Sequence, residues 1–138
     1  MKELPIPETY EQEFKYMPLG TIIEQVLDFI EQEVDKKTTV LDLMSGPGYL
    51  LGRIKSLRPD LELTGVDIDE RYINFAKNKY RNINFIISDA LEFKPNKKFD
   101  LIICTAGLHH LPYEKQEEFV RKISGLLNRE GYCIIADP

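Results

Sequence analysis

Ile22, Ile23, Val26, Leu27 and Ile30 recur three or four apart with acidic residues between them, a spacing that predicts an amphipathic helix over 19–34 lying on a core. The period then shortens. Residues 39–43 (TVLDL) are a short β-branched and apolar run, closed by Ser45-Gly46-Pro47-Gly48, after which Tyr49, Leu50, Ile54 and Leu57 resume helical spacing up to Pro59. The unit of strand, tight turn and helix repeats, with a strand over 61–66, a helix over 69–80 and a strand over 83–87. It continues with a strand over 99–104, a helix over 114–127 and a strand over 131–136 that follows a turn at 128–131. Between the third and fourth strands the helical signal is weak, because Pro95 and Asn96 interrupt it. Residues 1–17, with Pro5 and Pro7 and then Pro18, read as an irregular or partly helical arm. Five near-continuous apolar strands joined by helices predict an α/β fold, a doubly wound, Rossmann-like and mostly parallel sheet with helices on both faces.

Composition narrows the classes without changing that picture. With 138 residues, 43% hydrophobic and 30% charged, the chain is expected to form one domain over 1–138, an arm over 1–17 and a core over 19–138, with no staples. No apolar run approaches the ~20 residues that span a bilayer, and the N-terminus has no apolar signal core, so a soluble, cytoplasmic protein is expected with no membrane partner. The net charge of −5 disfavours nucleic acid, and Lys94, Lys97 and Lys98 read as a solvated loop. Cys104 and Cys133 each fall in an apolar run without metal-ligand spacing and read as small core residues of a reducing compartment.

In sheets of this type ligands lie beyond the carboxyl ends of the strands. Those ends carry 42–48, Asp67, 88–90, 105–110 and Asp137. The glycines of 42–48 allow positive φ and close backbone approach, although a tight strand-to-helix turn also needs glycine for structural reasons alone. The dinucleotide fingerprint G-x-G-x-x-G fits poorly, because Gly46, Gly48 and Gly52 are spaced one residue too long. Asp42 argues further against a pyrophosphate: a carboxylate near the loop favours an ammonium or sulfonium. A nicotinamide-dependent oxidoreductase is therefore the less favoured alternative. Asp67 is placed to accept from ribose hydroxyls, since Asp69, followed by Glu70, is the better N-cap of the next helix. Asp89 fits either a turn or an adenine amine, with the Ala90 amide beside it.

Together these residues resemble the class I S-adenosylmethionine-dependent methyltransferases over about 20–138. The family's first motif is similar to residues 40–48, its ribose motif to 65–68, its adenine motif to 88–90, and its fourth-strand motif to 99–103 leading to 108–111. The resemblance implies S-adenosylmethionine as cofactor and methyl transfer to a small-molecule acceptor. It also implies that the loop with Asp42, Met44, Gly46 and Gly48 holds the methionyl end, Asp67 the ribose, Ile68 an adenine face, and Asp89 with Ala90 the adenine edge. Thr105 and Ala106 would lie near the sulfonium. Met44 departs from the family, which has glycine there, so its side chain must point away or narrow the pocket.

A catalytic base is needed only where the acceptor must lose a proton. His109 and His110 are the candidates, against a packing or helix-start role. A metal held by His109, His110 and Asp137 lacks supporting spacing, and no metal is expected. Tyr10, Phe14, Tyr16 and Met17 form either a lid over the cofactor or ordinary packing on the sheet. The family's sheet continues with a helix and an antiparallel pair, whereas this sequence stops after its fifth strand. That strand is expected to be an open edge covered by a second copy or another chain, and a non-catalytic or truncated cofactor-binding module is the alternative function.

Overall fold

The computed structural model describes residues 4–16 and 18–137; Met17, grouped above with the aromatic residues of the arm, lies outside them. The chain runs through α1 (Pro7–Glu13), α2 (Leu19–Glu33), β1 (Thr39–Leu43), α3 (Tyr49–Leu57), β2 (Glu62–Asp67), α4 (Glu70–Lys79) and β3 (Asn84–Ile87). It continues through β4 (Phe99–Thr105), a 3-10 turn (Leu108–His110), α5 (Tyr113–Leu126) and β5 (Leu127–Ala136). All strand pairs are parallel, in the order β3-β2-β1-β4-β5, so the order reverses between β1 and β4. The doubly wound α/β reading is thus the observed architecture. Among the described residues no helix is long and apolar enough to cross a membrane.

The two-residue period of the strands divides the core. Val40, Leu101 and Ile103 face Ile23, Leu27 and Ile30 of α2 and Leu51 and Ile54 of α3. Leu41, Leu43, Ile102 and Cys104 face Phe119 and Ile123 of α5. No helix joins β3 to β4; Ala90 and Phe93 from that connection are buried on the α5 face, filling space that a crossover helix would cover. The arm is helical because Pro7 opens α1 with a fixed φ suited to a first turn, and Glu8 complements its dipole.

Two expectations need correction. The turn at 128–131 is absorbed into β5: Phe99 pairs with Leu127 and Leu101 with Tyr132, so 128–131 bulge out, with Glu130 at φ 68°. Cys133 is exposed, unlike buried Cys104, because β5 pairs only with β4 and its outer side lacks cover. Lys97, exposed as the solvated-loop reading expects, pairs with Glu62 and lies 5.3 Å from the Phe99 ring centroid.

Candidate functional site

At the carboxyl end of the sheet, the loop after β1 is shaped by left-handed backbone. Met44 has φ 61°, Gly46 φ 57° and Gly48 φ 89°. Only glycine takes this region freely, so Met44 is held there by its surroundings. The Ser45 amide donates to the Val66 carbonyl at 3.0 Å, and the Gly46 amide donates to Asp67 Oδ2 at 2.8 Å. A Cβ on Gly46 would meet the Tyr10 ring at 3.2 Å. The Gly48 constraint is different: a Cβ there would lie 2.9 Å from Phe85 and 3.1 Å from Ala76, so this glycine lets α3 close on the sheet.

Asp42 lies at the β1 end, 2% exposed, with Oδ1 lacking a hydrogen-bond partner. Burial, and secondarily the Asp67 charge, push its carboxyl well above the ordinary carboxylate range. Ser45 Oγ is a second buried oxygen without a partner. Asp67 has both oxygens engaged, Oδ2 by Gly46 and Oδ1 by the Asp69 amide at 2.9 Å. Its pKa is raised by burial, which those amide bonds oppose. A carboxylate has about four lone-pair sites, so each oxygen keeps capacity for one further donor. Asp69 is the α4 N-cap, accepting from the Arg71 amide, which leaves Asp67 to the strand end as its spacing predicts. Asp89 accepts the Leu91 amide at 2.8 Å and also borders the cavity.

The arm forms one wall. Tyr10 stacks on Tyr72 with centroids 5.3 Å apart and planes within 4°, and the Tyr72 hydroxyl donates to the Pro5 carbonyl at 2.7 Å. Glu11, 2% exposed, pairs with Lys79 at 2.7 Å and accepts from the Tyr80 hydroxyl. Phe14 is buried against the core, whereas Tyr16 is exposed. Glu11 was not singled out from sequence, where it reads as one more acidic residue of a polar arm; its i+1 relation to Tyr10 gives no signal of a buried partner on α4. Leu4 and Tyr72, which also border the cavity, were missed because a single apolar residue of the arm and one aromatic of a helix face carry no local sign of a cavity between them.

After β4, Ala106 has φ 54° and its amide donates to the Ala136 carbonyl at 2.8 Å. Asp137 clamps His109, accepting its backbone N–H at 3.0 Å and lying 2.8 Å from Nδ1. The His109 and His110 rings are 4.1 Å apart. Burial and the neighbouring His109 lower the His110 pKa below 6.5, against weaker raising contributions from Asp137 and Asp67.

A cavity of about 210 Å³ lies over the point where strand order reverses. It brings together Met44, Gly46, Asp67, Ile68, Asp89, Ala90 and His110, with Tyr10, Tyr72 and Gly107. Asp42, Gly48, Thr105 and His109 lie outside its wall. Met44 borders the cavity with its sulfur directed at Gly107, where a Cβ would approach Sδ to 2.7 Å; the side chain therefore narrows the space rather than leaving it.

Residues 34–138 match the family model described as a methyltransferase domain. The carboxy-S-adenosyl-L-methionine synthase of Campylobacter fetus subsp. fetus is 31% identical over 126 residues, covering 88% of this chain and 52% of that protein. The malonyl-[acyl-carrier protein] O-methyltransferase of Acetivibrio thermocellus is 30% identical over 83 residues, covering 59% and 29%. The chain thus spans about half the length of one of these relatives and less of the other. Among solved structures, the plantazolicin methyltransferase BpumL, in complex with a pentazolic desmethylPZN analog and SAH, superposes with a TM-score of 0.76. It is 22% identical, and the alignment covers 95% of this chain and 51% of that one.

Proposed function

The chain belongs to the class I S-adenosylmethionine-dependent methyltransferase family, and from that premise we propose that its cavity binds S-adenosylmethionine for methyl transfer to a small-molecule acceptor. The observation that carries this reading is the acidic lining of the cavity. Asp67 and Asp89 border it, Asp42 outside the wall keeps a buried oxygen without a partner, and no Lys or Arg borders it among the described residues. A cationic ligand relieves that arrangement, whereas a pyrophosphate worsens it.

The chain's residues fit the group in kind. Asp67 has acceptor capacity left for two ribose hydroxyls. Asp89 and the Ala90 amide offer an acceptor and a donor to an adenine edge, and Ile68, two-thirds exposed beside them, offers an apolar face. Gly46, without a side chain under Tyr10, lets the backbone come close. When bound, S-adenosylmethionine supplies an electrophilic methyl group on a sulfonium. The protein's share is then position and exclusion of water, for which the Tyr10–Tyr72 wall is suited.

Calorimetric titration tests the reading: S-adenosylmethionine and S-adenosylhomocysteine should bind with one-to-one stoichiometry, and NADH should not. A second reading, a cofactor-binding module completed by a partner, is favoured by the β5 edge, where Tyr132 is 56% exposed and Cys133 is uncovered. Binding of both adenosyl ligands with no methyl-donor consumption across candidate acceptors, together with dimers in sedimentation, would select it.

A further inference from the structure

The 3-10 turn that carries His110 is fixed more firmly than its exposure requires. The His110 amide donates to the Gly107 carbonyl at 3.0 Å, and Asp137 holds the preceding residue by backbone and ring together. From the other side, Gln116 of α5 reaches the Leu108 and Leu111 carbonyls at 3.4 and 3.2 Å. The turn thus presents the His110 ring to the cavity from a rigid base.

The other groups of the cavity that could take a proton are committed elsewhere. Tyr72 gives its hydroxyl hydrogen to Pro5 and its pKa is pushed up to about 12; Tyr10 is likewise raised by burial and by Asp67. Asp67 accepts two amides and Asp89 one, and in the methyl-transfer reading the acceptor capacity they keep goes to the ribose and the adenine. His109 from its own turn, Asp137 from the end of β5 and Asp67 from the end of β2 act on the His110 charge, and Asp89, Tyr10 and Tyr72 border the same cavity. Burial and His109 outweigh the two carboxylates, which favours the neutral imidazole. The same carboxylates, with no Lys or Arg in the wall among the described residues, repel an anionic acceptor.

We propose that His110 is the proton acceptor of the reaction, and that the acceptor substrate is a neutral or cationic molecule whose nucleophile is a hydroxyl or amine bearing a proton, not a carboxylate. This rests on the methyl-transfer reading. A hydroxyl, or an amine in its ammonium form, passes a proton to a ring nitrogen of His110. The electron pair left on that atom forms the new bond to the methyl carbon, and the pair of the broken carbon–sulfur bond stays with sulfur. His110 then releases the proton to water. Asp137 acts as a positioning residue through His109.

The test uses the full chain with phenol, 2-phenylethylamine and phenylacetate as probes. In the S-adenosylhomocysteine complex, phenol or the amine should shift the His110 ring signal in proton–carbon NMR, and phenylacetate should not. With S-adenosylmethionine, turnover of the responding probe should rise with pH through the imidazole range to a plateau. His110→Gln should lower kcat roughly 100-fold, the lower end for a general base, and abolish that limb. A stronger response to phenylacetate, no response to either of the others, or a His110→Gln enzyme that keeps the wild-type rate and pH limb would overturn the proposal. Failure of wild-type protein to bind S-adenosylhomocysteine would instead overturn the methyl-transfer reading beneath it.

Discussion

The Asp67 carboxylate at the end of β2 accepts the Gly46 amide of the loop after β1, at 2.8 Å and across 21 positions of sequence. The group proposed to hold the ribose therefore also shapes the loop proposed to hold the methionyl end, and the two cannot vary independently.

Asp67→Ala removes both functions. It leaves the Gly46 and Asp69 amides without their acceptor, a loss of roughly 1.5–3 kcal/mol for a charged hydrogen bond. S-adenosylhomocysteine affinity should fall at least about tenfold, the equivalent of 1.4 kcal/mol, in calorimetry. Asp67→Asn, which retains one acceptor oxygen, should fall between. Unchanged affinity in Asp67→Ala would remove this residue from the site.

Asp42 sets function against stability. Its folded pKa is raised above 3.8, so its contribution to stability is complete below that value and is lost as pH climbs toward the folded pKa. Asp42→Asn removes the ionisation that burial opposes and should therefore stabilise the ligand-free protein at pH 7, read as a higher urea midpoint than wild type. The gain should shrink toward pH 3, where wild type is protonated in both states. Urea denaturation at the two pH values measures this, and an equal gain at both would contradict it.

Met44 occupies a glycine's conformation. Met44→Gly should relieve a left-handed backbone cost of roughly 1–2 kcal/mol while losing the sulfur's contact with Gly107. It also widens the cavity, so S-adenosylhomocysteine should bind more tightly than to wild type. A tenfold weaker complex would instead make the thioether part of the binding surface.

Two glycines should respond oppositely to alanine. Gly125, in the last turn of α5 with nothing within 4 Å of an added Cβ, should gain up to about 0.5–1 kcal/mol from better helix propensity. Gly48, at φ 89° and with Phe85 at 2.9 Å from that Cβ, should lose stability by about 1–3 kcal/mol from overpacking and more from strain. Thermal unfolding of the two variants compares them directly.

Local signals were legible where backbone geometry and side-chain chemistry point the same way. The strand, glycine turn and helix order emerged from period changes, and Asp69 was separable from Asp67 because an N-cap has its own sequence setting. Relations between distant segments were not. Nothing local to Glu11 reveals Lys79 and Tyr80, nor does anything near His109 reveal Asp137, 28 positions away. Cys133 has the composition of a core strand, and only the sheet order shows it at an edge. Gly48 was grouped with ligand-approach glycines, whereas the side chains it accommodates come from β3 and α4.

The central claim is that this mouth receives an adenosyl cation, and co-crystallisation with S-adenosylmethionine tests it most directly. The account predicts density over the end of β1, with ribose hydroxyls on Asp67, the adenine beside Ile68 and Asp89, and the sulfonium on the side of Met44 and Ala106. A cavity that stays empty at saturating cofactor, or that takes up NADH in its place, would contradict it.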